Sequence, residues 1–174
     1  MLKYARFQFC PSCGKSRVEE FKRNGMRCKD CGFLYFHNCA SAAAAIIETK
    51  KGIVVTVRAE EPKSGFYDLP GGFVNYGESI EQALIREVRE ELNLEINDLR
   101  YFGSFPNIYY FHGITYFTTD AMFLAKAPSL ARLRINKEVS EIFFAKPGEI
   151  DLDKIAFESI KNGVRRYLEV FNNA

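Results

Sequence analysis

The chain has 174 residues, 47% hydrophobic and 26% charged, with a formal net charge of +2. This composition excludes a disordered or fibrous protein, and the length allows one domain or a domain with a small module. The longest strictly apolar run, Ala42 to Ile47, falls far short of the ~20 residues of a membrane-spanning helix. The opening Met1-Leu2-Lys3-Tyr4-Ala5-Arg6 carries no apolar core of an export signal, so the expected compartment is the cytoplasm, where thiols stay reduced.

All five cysteines fall in the first quarter of the chain. Cys10-Pro-Ser-Cys13 and Cys28-Lys-Asp-Cys31 form two C-x-x-C pairs separated by 14 residues, each followed by a glycine. That spacing fits four thiolates around one zinc ion, with the glycines turning the chain so that backbone N–H groups face the sulfurs. A site of four thiolates is closed to water and substrate, which makes the metal structural. Between the pairs, Val18–Phe21 and Asn24-Gly25-Met26 read as a hairpin with a tight Asn-Gly turn. Residues 1–38 thus form a zinc ribbon, and residues 39–174 the remaining domain. The ribbon holds eight basic residues against three acidic ones. That excess is too small to argue for a nucleic-acid partner over a solvated surface. Cys39 reads as a buried, inert thiol.

Ala42–Glu48 and Ile53–Arg58 read as strands joined by the turn Thr49–Gly52. A glycine- and proline-punctuated loop, Gly65 to Val74, follows. Next comes a helix of about 13 residues, with Ser79 as N-cap, Gln82 completing a capping box and Asn93 at the left-handed C-terminal cap. Glu87 and Glu91 lie about 40° apart on one face of this helix, with Glu90 on its flank. Like charges at these spacings repel, and a hard divalent cation relieves them through oxygen ligands. The residues alone leave two readings open, a magnesium–phosphate site beside the glycine loop and an acidic surface helix. Residues 101–117 hold eight of the 25 Phe and Tyr residues around a turn at His112-Gly113. These rings suit either stacking on a base or packing of a sheet and a dimer surface. Asp153 to Phe171 repeats apolar residues at three- and four-residue spacings, which predicts an amphipathic helix.

The segment from Gly72 to Leu94 resembles the Nudix box, G-x5-E-x7-R-E-U-x-E-E-x-G-U with U a bulky aliphatic residue, departing only at Asn93 where the family has glycine. Tyr67-Asp68-Leu69-Pro70-Gly71-Gly72 resembles the W-x-L-P-G-G approach to that box. The resemblance covers about residues 40–150. It implies an α/β fold, the Nudix α/β/α sandwich with a mixed sheet, here preceded by the small zinc ribbon. It also implies magnesium- or manganese-dependent hydrolysis of a nucleoside diphosphate linked to another moiety, such as ADP-ribose, NAD(H) or a related dinucleotide, with release of a nucleoside monophosphate. Glu87 and Glu91 would hold the cation, with Glu90 a third ligand or the base that positions water. The Gly72 carbonyl would be a further ligand, Arg86 would orient the carboxylates and Glu78 would brace Arg86. Glu138 and Glu141 are alternative sources of one more acid. Arg58, Phe105, Tyr109 and Tyr110 are the candidate substrate contacts. The layout of a ribbon ahead of the box is similar to that of the NADH pyrophosphatases, and suggests a homodimer. The chain lacks their S-Q-P-W-P-F-P-x-S motif, and Tyr35-Phe36-His37 stands where they have Y-P-R. A reading from another class is a non-catalytic module that binds a nucleotide or nucleic acid through the same pocket and ribbon.

Overall fold

A computed structural model describes residues 7–146 and 148–171, so the opening Met1–Arg6, with Lys3 and Arg6 of the basic count, lies outside the described residues. The described residues form two sheets. The first comprises β1 (Val18–Phe21), β2 (Gly25–Cys28) and β3 (Leu34–Phe36), antiparallel in that order. Phe21 pairs with Gly25, so the turn is the three residues Lys22 to Asn24, with Lys22 at φ 53°. The expected Asn-Gly turn is therefore displaced. Gly25 sits within the strand, where a Cβ would meet the Phe21 carbonyl at 2.7 Å. Asn24 instead ties down the exit of the ribbon: its Nδ2 donates to the His37 carbonyl (3.3 Å), and its own carbonyl accepts from the His37 N–H (2.7 Å).

The second sheet is mixed. Its main path runs β10 (Val139–Ala145), β5 (Gly52–Arg58), β4 (Ala40–Thr49), β9 (Ile114–Lys126), β8 (Asn97–Phe111). The short strands β6 (Tyr67–Asp68) and β7 (Gly71–Phe73) pair with β5 and β4. β4 and β9 run parallel in the middle, while the other pairs are antiparallel. A central strand is buried on both faces and needs apolar residues without alternation, which is why Ala42 to Ile47 is a continuous apolar run. Ala43, Ala45 and Ile47 face one helix, and Ala44 and Ile46 the other.

Helix α1 (Ile80–Leu92) packs on the first of these faces through Leu84, Val88 and Leu92. Ser79 caps it with the reciprocal Gln82 bond, and Asn93 closes it at φ 51°, so asparagine serves where the family has glycine. Helix α2 (Glu158–Phe171) covers the opposite face through Ile160, Val164 and Tyr167. It begins later than the periodicity predicts, because Asp151 caps a separate 3-10 turn over Leu152–Lys154. The result is helix, sheet, helix, the expected α/β/α sandwich. Among the described residues no helix is long and apolar enough to cross a membrane.

Candidate active site

The approach to α1 places the glycine loop over β4. Gly71 pairs with Ala44, and Gly72 with Ala43. A Cβ on Gly72 would lie 2.6 Å from the Glu87 carboxyl carbon, so only a glycine lets the first acid of the helix lie this close to the backbone. Glu91, one turn on, accepts from the Gly71 N–H at 3.2 Å. Both acids line a cleft of about 270 Å³ between the loop, α1 and the first turn of α2.

Arg86 fixes the outer side of this arrangement. Its Nε and Nη2 donate to the two oxygens of Glu78 (2.7 and 3.0 Å), and Nη2 also to the Phe73 carbonyl (3.0 Å). Nη1 lies 2.8 Å from Glu87 and 3.1 Å from Glu90. The Glu78 hydrogen bonds, then Glu87 and Glu90, raise the hold of the guanidinium on its proton. Reciprocally, Arg86 first and the Asn75 N–H second keep Glu78 below the usual carboxylate range.

The acids in the cleft move the other way. Burial raises Glu87, against the pull of Arg86, and Glu90 and Glu138 add to the rise. Glu91 is pushed up to about 9, first by burial and then by the negative charge of Asp68, Glu87 and Glu138. Asp68 is pushed up to about 6 by burial, although Arg58 donates to it at 2.9 Å. This is a buried acid surplus that one guanidinium inside the cleft does not offset.

The structure sorts the sequence candidates. Glu87, Glu91, Gly72, Arg58, Tyr109 and Glu138 line the cleft. Glu90, with 56% of its side chain exposed, lies on the solvent flank under Arg86 and does not line it. The three helix glutamates therefore do not converge: Glu138, ahead of β10, joins Glu87 and Glu91 in the cleft, and Glu141 lies exposed along β10 against β5. Phe105 packs in the core under α2, and Tyr110 points to the other face of β8, so neither lines the cleft. Cys39 is exposed rather than buried.

Three residues in the cleft escaped the sequence reading. Asp68 stands beside Arg58. Asp120, an acid in the apolar run of β9, is 6% exposed; both of its oxygens accept hydroxyl protons, from Thr118 at 2.6 Å and from Ser159. Phe157 meets Tyr109 at 5.5 Å between ring centroids, with the Arg58 guanidinium 5.0 Å above its ring. A lone acid among apolar strand residues was the one signal available for Asp120.

The four cysteines converge as well, with all their sulfurs within 4.8 Å of one another. Cys10 to Cys31 and Cys13 to Cys28 each measure 3.7 Å. A tetrahedron with Zn–S near ~2.3 Å has edges of about 3.8 Å, so the donors already fit such an ion. Gly14 and Gly32, at φ +73° and +75°, turn the two knuckles alike, and each N–H donates to the carbonyl of the cysteine four residues before it. The Cys31 N–H, first, and the Asp30 N–H lower the Cys28 thiol to about 7, whereas Cys13, against the backbone hydrogen bond from Lys15, is pushed up to about 12 by burial and the neighbouring sulfurs.

The model of the NUDIX domain family matches residues 37–167. The chain belongs to the NUDIX family. It is 34% identical over 101 residues to the NAD-capped RNA hydrolase NudC of Vibrio vulnificus, covering 57% of this chain and 38% of that protein. It is 35% identical over 97 residues to the protein of the same name from Pseudomonas aeruginosa, covering 56% and 34%. The chain thus spans little more than a third of these curated relatives. The crystal structure of a NUDIX hydrolase from Nitrosomonas europaea superposes with a TM-score of 0.76 over 97% of this chain and 94% of that one, at 24% identity. Its coverage extends the shared fold beyond the NUDIX domain to the cysteine-bearing sheet.

Proposed function

We propose that this NUDIX chain hydrolyses a nucleoside diphosphate linked to another moiety, of the ADP-ribose or NAD(H) class, and releases a nucleoside monophosphate. The lining of one cleft by Glu87, Glu91 and Glu138 beside Gly72 carries this reading. Glu87 and Glu91 are partly buried and Glu138 is exposed at the rim; acids that share a cleft repel one another, protonation or a cation relieves that cost, and oxygen donors of this kind suit magnesium or manganese. Glu87, Glu91 and Glu138 would hold the ion, together with the Gly72 carbonyl. When bound, the cation neutralises the diphosphate and polarises the attacking water.

The chain's own residues do the rest. Arg86 clamps Glu78 through two nitrogens and so fixes the guanidinium edge that faces Glu87 and Glu90. Glu90, paired with Arg86 at 3.1 Å on the solvent flank, would act on water only from outside the acid pair. Arg58 carries positive charge into the cleft beside the diphosphate, and Tyr109 with Phe157 walls it. The relatives named NAD-capped RNA hydrolase support a dinucleotide at this site. We also read residues 1–38 as a separate ribbon holding zinc through Cys10, Cys13, Cys28 and Cys31, and the protein as a cytoplasmic homodimer.

Purified protein with magnesium is to be screened against NADH, ADP-ribose, dinucleoside polyphosphates and nucleotide sugars. Release of a nucleoside monophosphate is the expected result. Tight binding without any product would overturn the hydrolase reading in favour of a binding module. Metal analysis of the same protein is expected to give one zinc per chain, and light scattering a dimer.

A further inference from the structure

Asp120 is the acid of the cleft whose partners are hydroxyls. It is 6% exposed on β9, and its two oxygens accept protons from Thr118, at 2.6 Å, and from Ser159 in the first turn of α2. Its neighbours on the same face of β9, Met122 and Leu124, belong to the core under α2. An apolar residue in its place would pack there without the cost of taking a carboxylate out of water. Stability of the sandwich therefore does not account for the acid.

Its partner fixes how α2 lies on the sheet. Ser159 is fully buried, and one helical turn on, Gly163 leaves room for the Met122 sulfur, which a Cβ at that position would overlap. Residues 159 and 163 are about 6 Å apart along the helix, and residues 120 and 122 about 6.6 Å apart along the strand, so the two contacts keep one register. The consequence falls at the helix start. The Phe157 carbonyl accepts the first helical bond, from the Lys161 N–H at 2.9 Å, but its side chain has no acceptor with which to cap. Asp120 instead places an acid from β9 at the positive end of the helix.

Phe157 is thereby held from both sides. Upstream, the Ala156 N–H donates to the Tyr67 carbonyl of β6 at 2.9 Å; downstream, Ser159 is tied to Asp120. Between these anchors the Phe157 ring meets Tyr109 and lies under the Arg58 guanidinium, closing one wall of the cleft. We propose that Asp120 is a positioning residue: through the Ser159 hydroxyl it fixes the first turn of α2 and so holds Phe157 against Arg58 and Tyr109 in the geometry that receives the substrate. Glu87 and Glu91 are set separately, on α1, so the link governs substrate binding rather than the hydrolytic step. The role in substrate binding rests on the hydrolase reading, whereas the hold on Phe157 does not.

The test uses the full-length protein with Asp120→Ala, Asp120→Asn, Ser159→Ala and the double variant Asp120→Ala/Ser159→Ala. A hydrogen bond to a charged group carries a factor of about 10 to 150 in an equilibrium. With ADP-ribose or NADH, KM is expected to rise at least about fivefold in Asp120→Ala and Ser159→Ala, up to that ceiling, with kcat within about threefold of wild type. The double variant is expected to be no worse than Asp120→Ala, because both changes break one link. Asp120→Asn keeps an acceptor for Ser159 and is expected to hold KM within about twofold of wild type. The chain has no tryptophan, so Phe157→Trp installs a single fluorescent reporter in the wall. In that background, without substrate, Ser159→Ala is expected to raise acrylamide quenching about twofold or more while circular dichroism stays that of the folded chain. Additive losses in the double variant, an Asp120→Asn as impaired as Asp120→Ala, or a lowered Tm with KM and quenching unchanged would each overturn the proposal. If wild type cleaves none of the screened compounds, the hydrolase reading fails, and the quenching alone decides whether Asp120 and Ser159 hold Phe157.

Discussion

Replacing Glu91 by glutamine is expected to stabilise the metal-free fold while removing its response to magnesium. An ordinary glutamate releases its proton near 4.5, whereas burial first, then Asp68, Glu87 and Glu138, hold the Glu91 proton to about 9. Between those values the folded chain binds the proton and the unfolded chain does not. The contribution of this group to stability is therefore complete below about pH 4.5 and is lost as pH rises towards 9, at about 1.4 kcal/mol per unit. At about pH 7 some 2.5 units have been crossed, a loss of about 3 kcal/mol. Glutamine is neutral in both states and its amide oxygen can still accept from the Gly71 N–H. For a chain of this size about 3 kcal/mol corresponds to a rise in Tm of roughly 6–12 °C over wild type without metal. Thermal melts in a chelator across neutral pH measure both quantities, and the variant is expected to show the shallower decline, since Asp68 still titrates. Adding magnesium raises the Tm of wild type, because an ion that binds only the folded state stabilises it. A variant less stable than wild type without metal, or one with an undiminished magnesium response, would refute the placement of Glu91 as a buried cation ligand.

Gly72→Ala puts a methyl group where the Glu87 carboxyl lies and displaces that side chain. Its magnesium affinity, by calorimetry, is expected to fall about 10- to 100-fold with a Tm close to wild type. Arg86→Lys retains the charge but loses the fork that holds Glu78, Glu87 and Glu90 together, so kcat is expected to drop by about the same factor as in Arg86→Ala. Full activity in the lysine variant would show that charge alone suffices. Phe105→Ala, partly buried against the core under α2, is expected to cost about 3 kcal/mol in denaturant melts and leave KM unchanged.

What could be read from the sequence was local. The capping box at Ser79 and Gln82, the left-handed cap at Asn93 and the two cysteine knuckles each depend on residues within a few positions, and all appear in the structure. The large sheet was partly legible, since the run from Ala42 to Ile47 marks a strand buried on both sides. The cleft was less so, because its walls come from β5, β6, β9, the segment ahead of β10 and the start of α2, which only the assembled sheet brings together. Along β8 the aromatic cluster concealed a division. Tyr109 and Tyr110 are neighbours in sequence and face opposite sides of the sheet; Phe105 and Tyr109 share a side but differ in depth beneath α2. Composition gives neither depth nor side; the pairing from Gly103 to Phe111 is uninterrupted, so the alternation separates Tyr109 from Tyr110, but only the packed α2 sets the depth of Phe105.

The charge balance explains why the acids divide between two tasks. Arg86 is bound first to Glu78 and the Phe73 carbonyl, so its guanidinium holds geometry at the edge of the cleft more than it neutralises the interior. Arg58 is likewise committed, to Asp68 and to the Pro62 carbonyl. Asp120 takes both of its partners from hydroxyls and is satisfied without any cation. Glu87 meets Arg86 at 2.8 Å, yet burial and the charge of Glu90 and Glu138 still raise it, and burial with the charge of Asp68, Glu87 and Glu138 raises Glu91. A fold that needed only to place negative charge on a helix would have turned it to solvent, as it does with Glu90. Keeping Glu87 and Glu91 on the buried side, against a glycine too small to push them away, is a standing electrostatic cost that a divalent ion removes.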